Sequence, residues 1–348
     1  MTYITNNINE INKKTWNSGI NNSPFLKYNF IKCYFDTQSN INHWFILNKQ
    51  NRIYANSFVL SFEKAIKLTS LNFLYKVFKL LRIEVLYLAN TYLTSIPSFS
   101  CNSEIELEDI LLKIKNNNNY KVAIIPDFLF KKTKDLDVFK IEVDSEMILN
   151  INSEWNNFND YKDALKTKYR KRIRKALESS NNIKVIALSE SDFDKYDKEI
   201  LNLFNLVFKD THFSGPEFNT KIIKRLLSIK MLKLDGYFLG DTIVAFTSDI
   251  QHKNKMYSYF VGFDKKINKK YELYSRILIE QIKKAIYMKC DKLILGRTAN
   301  EFKSNFGAYP EKSYIYLYFR NKFWKLILSP VINLLKAKKW IIRMPFKK

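Results

Sequence analysis

Arg297 follows Gly296 in the run LILGRTANEF, where a strand ends and a loop begins. In α/β proteins ligands meet the sheet at such strand ends, and a guanidinium there suits a bidentate grip on phosphate or carboxylate. A pair with Glu301, four residues on, would satisfy the same arginine with no ligand at all. Gly296 and Gly307 fit positions of close approach or positive φ. His212 lies in the loop KDTHFSGPEF with Gly215 and Pro216. A histidine suits the general base that takes a proton from an attacking amine near pH 7. A structural role would account for it equally, and Asp249 and Asp264, near strand ends, are alternative bases. Tyr257, Tyr259 and Tyr274 can hydrogen-bond a substrate, with core packing as the ordinary use of such residues. Lys162, Lys166, Lys168, Arg170, Lys171, Arg172, Arg174 and Lys175 crowd one segment. So dense a cluster has few acids to balance it. It points to an anionic partner, against the simpler reading of a solvated helix face.

Other chemistries are discouraged. Seven glycines in 348 residues, with no GxGxxG or GxxxxGK[ST] string, leave no ordinary nucleotide loop. Three histidines and no C-x-x-C or H-E-x-x-H pattern make a metal site unexpected. Cys33, Cys101 and Cys290 are odd in number and far apart, which suits reduced thiols in a cytoplasmic protein. The formal charge of +24 is clustered, which again favours phosphate, coenzyme A, nucleic acid or lipid as partner. The first residues are polar and unlike a signal peptide. The apolar stretch from Leu71 to Leu93 is interrupted by Lys76, Lys79, Arg82 and Glu84, so it is no simple membrane span.

These residues need elements to hold them. The length suits two α/β domains. Strands are expected at Ile41–Leu47, Arg52–Phe62, Val85–Leu88, Val122–Pro126 and Phe139–Val143. Helices are expected at Leu71–Leu81 and Ile105–Lys115. A boundary is expected near Asn150–Trp155. Next comes a helix over Asn159–Ser180, with Tyr161, Leu165, Tyr169, Ile173 and Leu177 as its apolar stripe. Asp160 is its expected N-cap, with Asp163 at the capping-box distance. The second half then reads strand Ile183–Leu188, helix Asp192–Lys209 and helix Lys221–Ile229. Strands Met231–Leu239, Thr242–Ile250 and Lys255–Phe263 follow, the first two joined by a Gly240-Asp241 turn. Helix Glu272–Met288, strand Lys292–Leu295 and strand Tyr314–Phe319 complete it.

Three strings in this half carry a resemblance. YFVGFD, the helix YSRILIEQIKKAIYMKC and DKLILGRTANEFKSNFGAYP are similar to the core of the FemAB/BioF-like acyltransferases of the GNAT superfamily. That group ends its last core strand with a glycine and follows it with a [FY]-K-x-x-[FW]-G string. Here the string is Phe302-Lys303-Ser304-Asn305-Phe306-Gly307. Trp155, Phe158 and Tyr161, followed by K-x-R-K-x-x-R-K-A, also resemble the group, as does SPFLKYNFIKCYF near the N-terminus. The resemblance covers nearly the whole chain, most closely residues 155–318.

The resemblance implies an α/β (α+β mixed-sheet) fold with two GNAT-like domains, 1–150 and 151–320, and a basic amphipathic tail, 321–348. In each domain two parallel strands would splay to admit a pantetheine arm. In the second, Met256–Val261 and Leu293–Leu295 would be that pair. The helix start near Glu272 would offer free N–H groups to a pyrophosphate, assisted by Lys265, Lys266, Lys269 and Lys270. It implies that Lys303 stabilises the oxyanion forming on the transferred carbonyl. Arg297, Phe302, Gly296, Gly307, Tyr259, Tyr274, Lys168 and Arg172 would contribute to binding, with His212 as base. The implied reaction is N-acyl transfer from acyl-CoA to an amine, in the making of a cell-envelope or peptidoglycan precursor. The Q/R-x-x-G-x-G/A turn of ordinary GNAT proteins is missing. Aminoacyl-tRNA therefore stands as the alternative donor. A non-catalytic anion- or membrane-binding scaffold is the alternative of another class. The acceptor would be a small, nucleotide-linked or lipid-linked amine. The tail, Arg320–Lys348, has nine basic residues and no acid among its apolar ones. It suits peripheral contact with an anionic membrane at the inner face, or packing as a C-terminal helix.

Overall fold

A computed structural model describes residues 2–20, 23–60, 83–93, 95–101, 104–133, 136–208, 216–332 and 340–347. The helix expected over Leu71–Leu81 and the candidate base His212 lie outside these residues. The chain divides into two compact units. Unit 1 holds Met1–Val143, His212–Ile222 and Ser313–Ala337, and unit 2 holds Asp144–Thr211, Ile223–Lys312 and Lys338–Lys348.

Unit 1 begins with β1 (Tyr3–Thr5), then α1 (Lys13–Ser18) and α2 (Tyr28–Thr37). A meander follows of β2 (Asn42–Leu47), β3 (Asn51–Val59) and β4 (Glu84–Tyr87), each antiparallel to the one before. β5 (Phe99–Cys101) pairs on β3. α3 (Leu107–Asn117) crosses over to β6 (Val122–Pro126), which lies parallel to β4. After the short α4 (Asp127–Phe130), a seventh strand arrives from the far end of the chain. It is β13 (Tyr309–Phe319), antiparallel to β6. The run of β3 from Asn51 to Phe58 is wholly buried, as a strand covered on both faces requires. α3 closes one face through Leu107, Ile110, Leu111 and Ile114, all at helical spacing. The other face is closed by α12 (Lys322–Ile332), through Leu328 with Trp324 and Ile327.

Unit 2 repeats this plan, with no counterpart to β5 among its described residues. β7 (Phe139–Asn150) enters from unit 1, and α5 (Phe158–Ala164) and α6 (Thr167–Ser179) follow. β8 (Ile183–Leu188) corresponds to β1, and α7 (Glu190–Phe208) and α8 (Lys221–Ser228) to the two helices after it. β9 (Lys233–Leu239), β10 (Thr242–His252) and β11 (Lys255–Phe263) form the antiparallel meander. Gly240 turns the β9–β10 hairpin at φ +60, a conformation that favours glycine. α9 (Lys265–Tyr271) and α10 (Leu273–Tyr287) cross over to β12 (Lys292–Ile294), parallel to β11. β7 is antiparallel to β12, as β13 is to β6. Both units thus contain one parallel pair flanked by antiparallel strands. This is the mixed sheet that the resemblance implies, present twice.

Two local expectations are corrected. Asn159–Ser180 is not one helix. Leu165 is extended at ψ 147 and separates α5 from α6. The end of the chain causes the break. Leu165 bridges Phe346, Lys166 N–H donates to the Pro345 carbonyl at 2.8 Å, and Lys347 N–H donates to the Ala164 carbonyl at 2.9 Å. The N-cap is Asn157, with Asp160 closing the capping box from the third position. The apolar stripe holds across the break: Tyr161, Leu165 and Ile173 are buried, and Tyr169 and Leu177 pack against them. β7 also extends far past Val143, through the polar stretch Asp144-Ser145-Glu146, to Asn150.

Candidate active site

The site starts from the way β11 and β12 part. Their parallel register covers Lys255↔Lys292, Met256↔Leu293 and Tyr257↔Ile294. Beyond these pairs β11 stays with β10, reaching Ala245↔Phe263. The chain after β12 instead follows β7: Leu295 N–H donates to the Met147 carbonyl at 2.8 Å, and Met147 N–H to the Gly296 carbonyl at 3.0 Å. Each strand keeps its antiparallel neighbour, so the parallel pair opens. Ser258 to Val261 thereby turn a half-buried edge toward the gap, Tyr259 among them.

At the mouth of the gap, just past β12, Gly296 stands at φ +76, where no atom would meet an added Cβ within 4 Å. The turn leads through Ala299, at φ 54, into α11 (Asn300–Ser304). Helical geometry sends consecutive side chains about 100° apart, so Phe302 and Lys303 serve different places. Lys303 points inward and is only 3% exposed. Its Nζ donates to the Leu295 carbonyl at 2.6 Å and also reaches the Gly296 carbonyl at 3.4 Å. Burial lowers its pKa to about 7, against the opposing pull of Glu146 on β7. Glu146 also acts on Tyr257, whose phenol is pushed up to about 12, chiefly by burial.

Arg297 does not pair with Glu301. Glu301 instead binds the guanidinium of Arg343, from the end of the chain. The Nε of Arg297 is buried with no hydrogen-bond partner, as is the Oδ1 of Asn300. Asn300 is held through its Nδ2, which donates to the Ser145 carbonyl at 3.3 Å. Lys303, Arg297, Asn300 and Glu146 therefore gather where β12 and β7 end the open gap. Sequence reasoning found Lys303 and Arg297 but missed Glu146 and Asn300. Asn300 stands three residues before Lys303, just ahead of the motif. Glu146 stood in a polar stretch that carried no strand pattern.

Phe302, Lys168 and Arg172 come together in a second place. With Tyr169, Glu301, Asn305 and Arg343 they line a cavity of about 630 Å³. The Arg172 guanidinium lies 5.6 Å from the centre of the Phe302 ring, within cation–π range. Phe302 packs on Tyr274 at 5.2 Å, and Tyr274 stacks on Phe263 at 5.3 Å. Tyr274 is thus a packing residue. Gly307, at φ +90, sits under the Phe346 ring, whose nearest atom would be 2.3 Å from an added Cβ.

The start of α10 departs from the expected pyrophosphate cradle. Lys265, Lys266, Lys269 and Lys270 form α9, capped by the Asp264 carboxylate, which accepts from Lys266 N–H at 2.7 Å. The chain then turns at Glu272, in the left-handed region at φ 51. Tyr274 N–H donates to Asn268 Oδ1 at 2.7 Å. The Glu272 carboxylate accepts from the Ser275 hydroxyl at 3.1 Å and lies 3.7 Å from Lys175. Asn268 already takes one N–H of this helix start, and the Glu272 carboxylate beside it repels a second anion.

Residues 164–304 match the family model described as an acetyltransferase (GNAT) domain. This segment is a GNAT domain. The match takes in α6, the meander, the open β11–β12 pair and the motif as far as Ser304. Among solved structures, the chain is similar to a conserved protein of unknown function from Bacteroides thetaiotaomicron, with a TM-score of 0.52 and 10% identity, over 92% of this chain and 100% of that one. It is also similar to FemX, with a TM-score of 0.50 and 10% identity, over 93% of this chain and 99% of that one. At such identity these likenesses show a shared fold. No curated protein matches the chain by sequence.

Proposed function

We propose that the protein is an N-acyltransferase that works at the opening between β11 and β12. The observation that carries this is the parallel pair parting just where Lys303 is buried at the strand end. A donor would lie along the edge of β11 that β12 leaves, with its amides against the strand backbone there. The acceptor amine attacks the donor carbonyl, a C–N bond forms, and the oxygen gains a full negative charge. Protonated Lys303, with Arg297 beside it, stabilises that oxyanion. Glu146 takes the proton the amine loses. Collapse of the adduct breaks the bond to the thiolate or ribose oxygen, which leaves with a proton from water.

Acyl-CoA is the donor that a GNAT domain suggests. One observation favours a second donor, aminoacyl-tRNA: the Glu272 carboxylate occupies the helix start that a CoA pyrophosphate would use. Lys171, Arg174 and Lys175 along exposed α6 then suit a ribose-phosphate backbone. The acceptor belongs to the small, nucleotide-linked or lipid-linked amines, as in cell-envelope precursors. Native mass spectrometry of protein purified from its host, followed by turnover with acyl-CoA and with aminoacyl-tRNA, tests the reading. Amide formation that ribonuclease abolishes selects the RNA donor. Amide formation indifferent to ribonuclease selects the thioester. No turnover with either sinks the enzyme reading and leaves a binding protein.

A further inference from the structure

The end of the chain is fixed to unit 2, yet exposes apolar side chains. Phe346 packs on the Tyr161 ring at 6.0 Å and the Trp155 ring at 5.6 Å. Trp340 lies half-buried against the same core. Arg343 N–H donates to the buried Ser304 hydroxyl at 3.2 Å, while its side chain binds Glu301. The Lys166 ammonium donates to the Met344 carbonyl at 3.1 Å. Between these anchors Ile341 is 60%, Ile342 46% and Met344 70% exposed. Folding has left three large apolar side chains in water within four residues, on a segment held at both ends.

Cations surround this apolar ridge. Arg343 lies within it and lines the cavity with Lys168 and Arg172. Lys166, Lys168, Arg172 and Lys347 are exposed, and among the described residues Glu301 is the acid lining that cavity. Exposed isoleucine and methionine gain nothing from a ribose-phosphate backbone. They gain by leaving water among acyl chains, while cations beside them meet phosphate headgroups. Among the described residues no helix is long and apolar enough to cross a membrane, so such contact would be peripheral.

We propose that Ile341, Ile342 and Met344, ringed by Lys166, Lys168, Arg172, Arg343 and Lys347, form a docking surface for an anionic lipid bilayer. The apolar side chains enter the headgroup region, and a lipid phosphate occupies the Lys168–Arg172–Arg343 cavity. The two tryptophans of the tail are partly buried. Trp324 packs with the unit 1 core and Trp340 with the unit 2 core. The surface stands whether or not the protein transfers acyl groups.

Co-sedimentation of the full chain with phosphatidylcholine vesicles, and with vesicles that also contain phosphatidylglycerol, tests the proposal at low salt. It expects binding to the anionic vesicles only. It expects binding on the order of tenfold weaker for I341S/I342S/M344S, and likewise for K168E/R172E, with circular dichroism unchanged. Should the triple variant unfold, Ile341→Ser alone carries the apolar arm. No binding to anionic vesicles overturns the proposal, and so does full binding by the apolar variant. A short RNA bound through Lys168 and Arg172, with vesicles left unbound, would overturn it as well and make this a nucleic-acid face.

Discussion

The Lys303 ammonium and the Leu295 carbonyl are 2.6 Å apart, and this contact ties the motif helix to the last residues of the core strand. Lysine has three donors, and the two carbonyls it reaches leave one for a ligand. The folded protein therefore holds an amine, protonated below about pH 7, at the mouth of the open strand pair before any substrate arrives.

That burial has a pH signature. The Lys303 pKa falls to about 7, from an ordinary value of 10.5 in the unfolded chain. Between these values the unfolded chain binds the extra proton, so stability rises with pH across that window, by up to about 1.4 kcal/mol per unit. Below about 7 and above the ordinary lysine value the contribution is flat. Urea unfolding of wild type and Lys303→Met across this range measures it. The variant should lose this part of the slope, and an unchanged slope would mean that Lys303 is not the group responsible.

Arg297→Ala should raise KM with little change in stability, because its Nε has no partner to lose. Glu301→Gln should leave KM close to wild type in this respect, since Glu301 holds Arg343. Steady-state kinetics on both variants separates the two roles. A rise in KM for Glu301→Gln equal to that for Arg297→Ala would reinstate the pair that the spacing suggested.

The motif glycines should differ in cost. Gly307→Ala meets both a positive φ and the Phe346 ring, and should destabilise by roughly 2 kcal/mol or more. Gly296→Ala meets only the positive φ, with open space around it, and should cost about 1 kcal/mol. Chemical denaturation of the pair decides this. Equal costs would show that the Phe346 contact does not hold in solution.

Much of this was legible in the sequence where periodicity was strong. β2, β6, β9, β10, β11 and α10 fall where alternation or helical spacing put them. What failed was set by distant residues. The Tyr161-Leu165-Tyr169 spacing reads as continuous helix, because the partner at the Leu165 break, Phe346, lies about 180 positions away. The second half of β7 is polar until Met147, so its place beside β12 carried no local signal, and Glu146 went unnoticed with it. The duplicated plan was legible only in outline. β13 reaches β6 from a distant part of the sequence, and no local pattern announces such a pairing.

The central claim is that an acyl carbonyl is attacked at the mouth of the β11–β12 opening with Lys303 beside it. The most direct test is amide formation by wild type and Lys303→Ala, followed by mass spectrometry with whichever donor proves active. The account predicts turnover reduced about a hundredfold or more in the variant, with the fold retained. Turnover equal to wild type would contradict it and remove Lys303 from the chemistry.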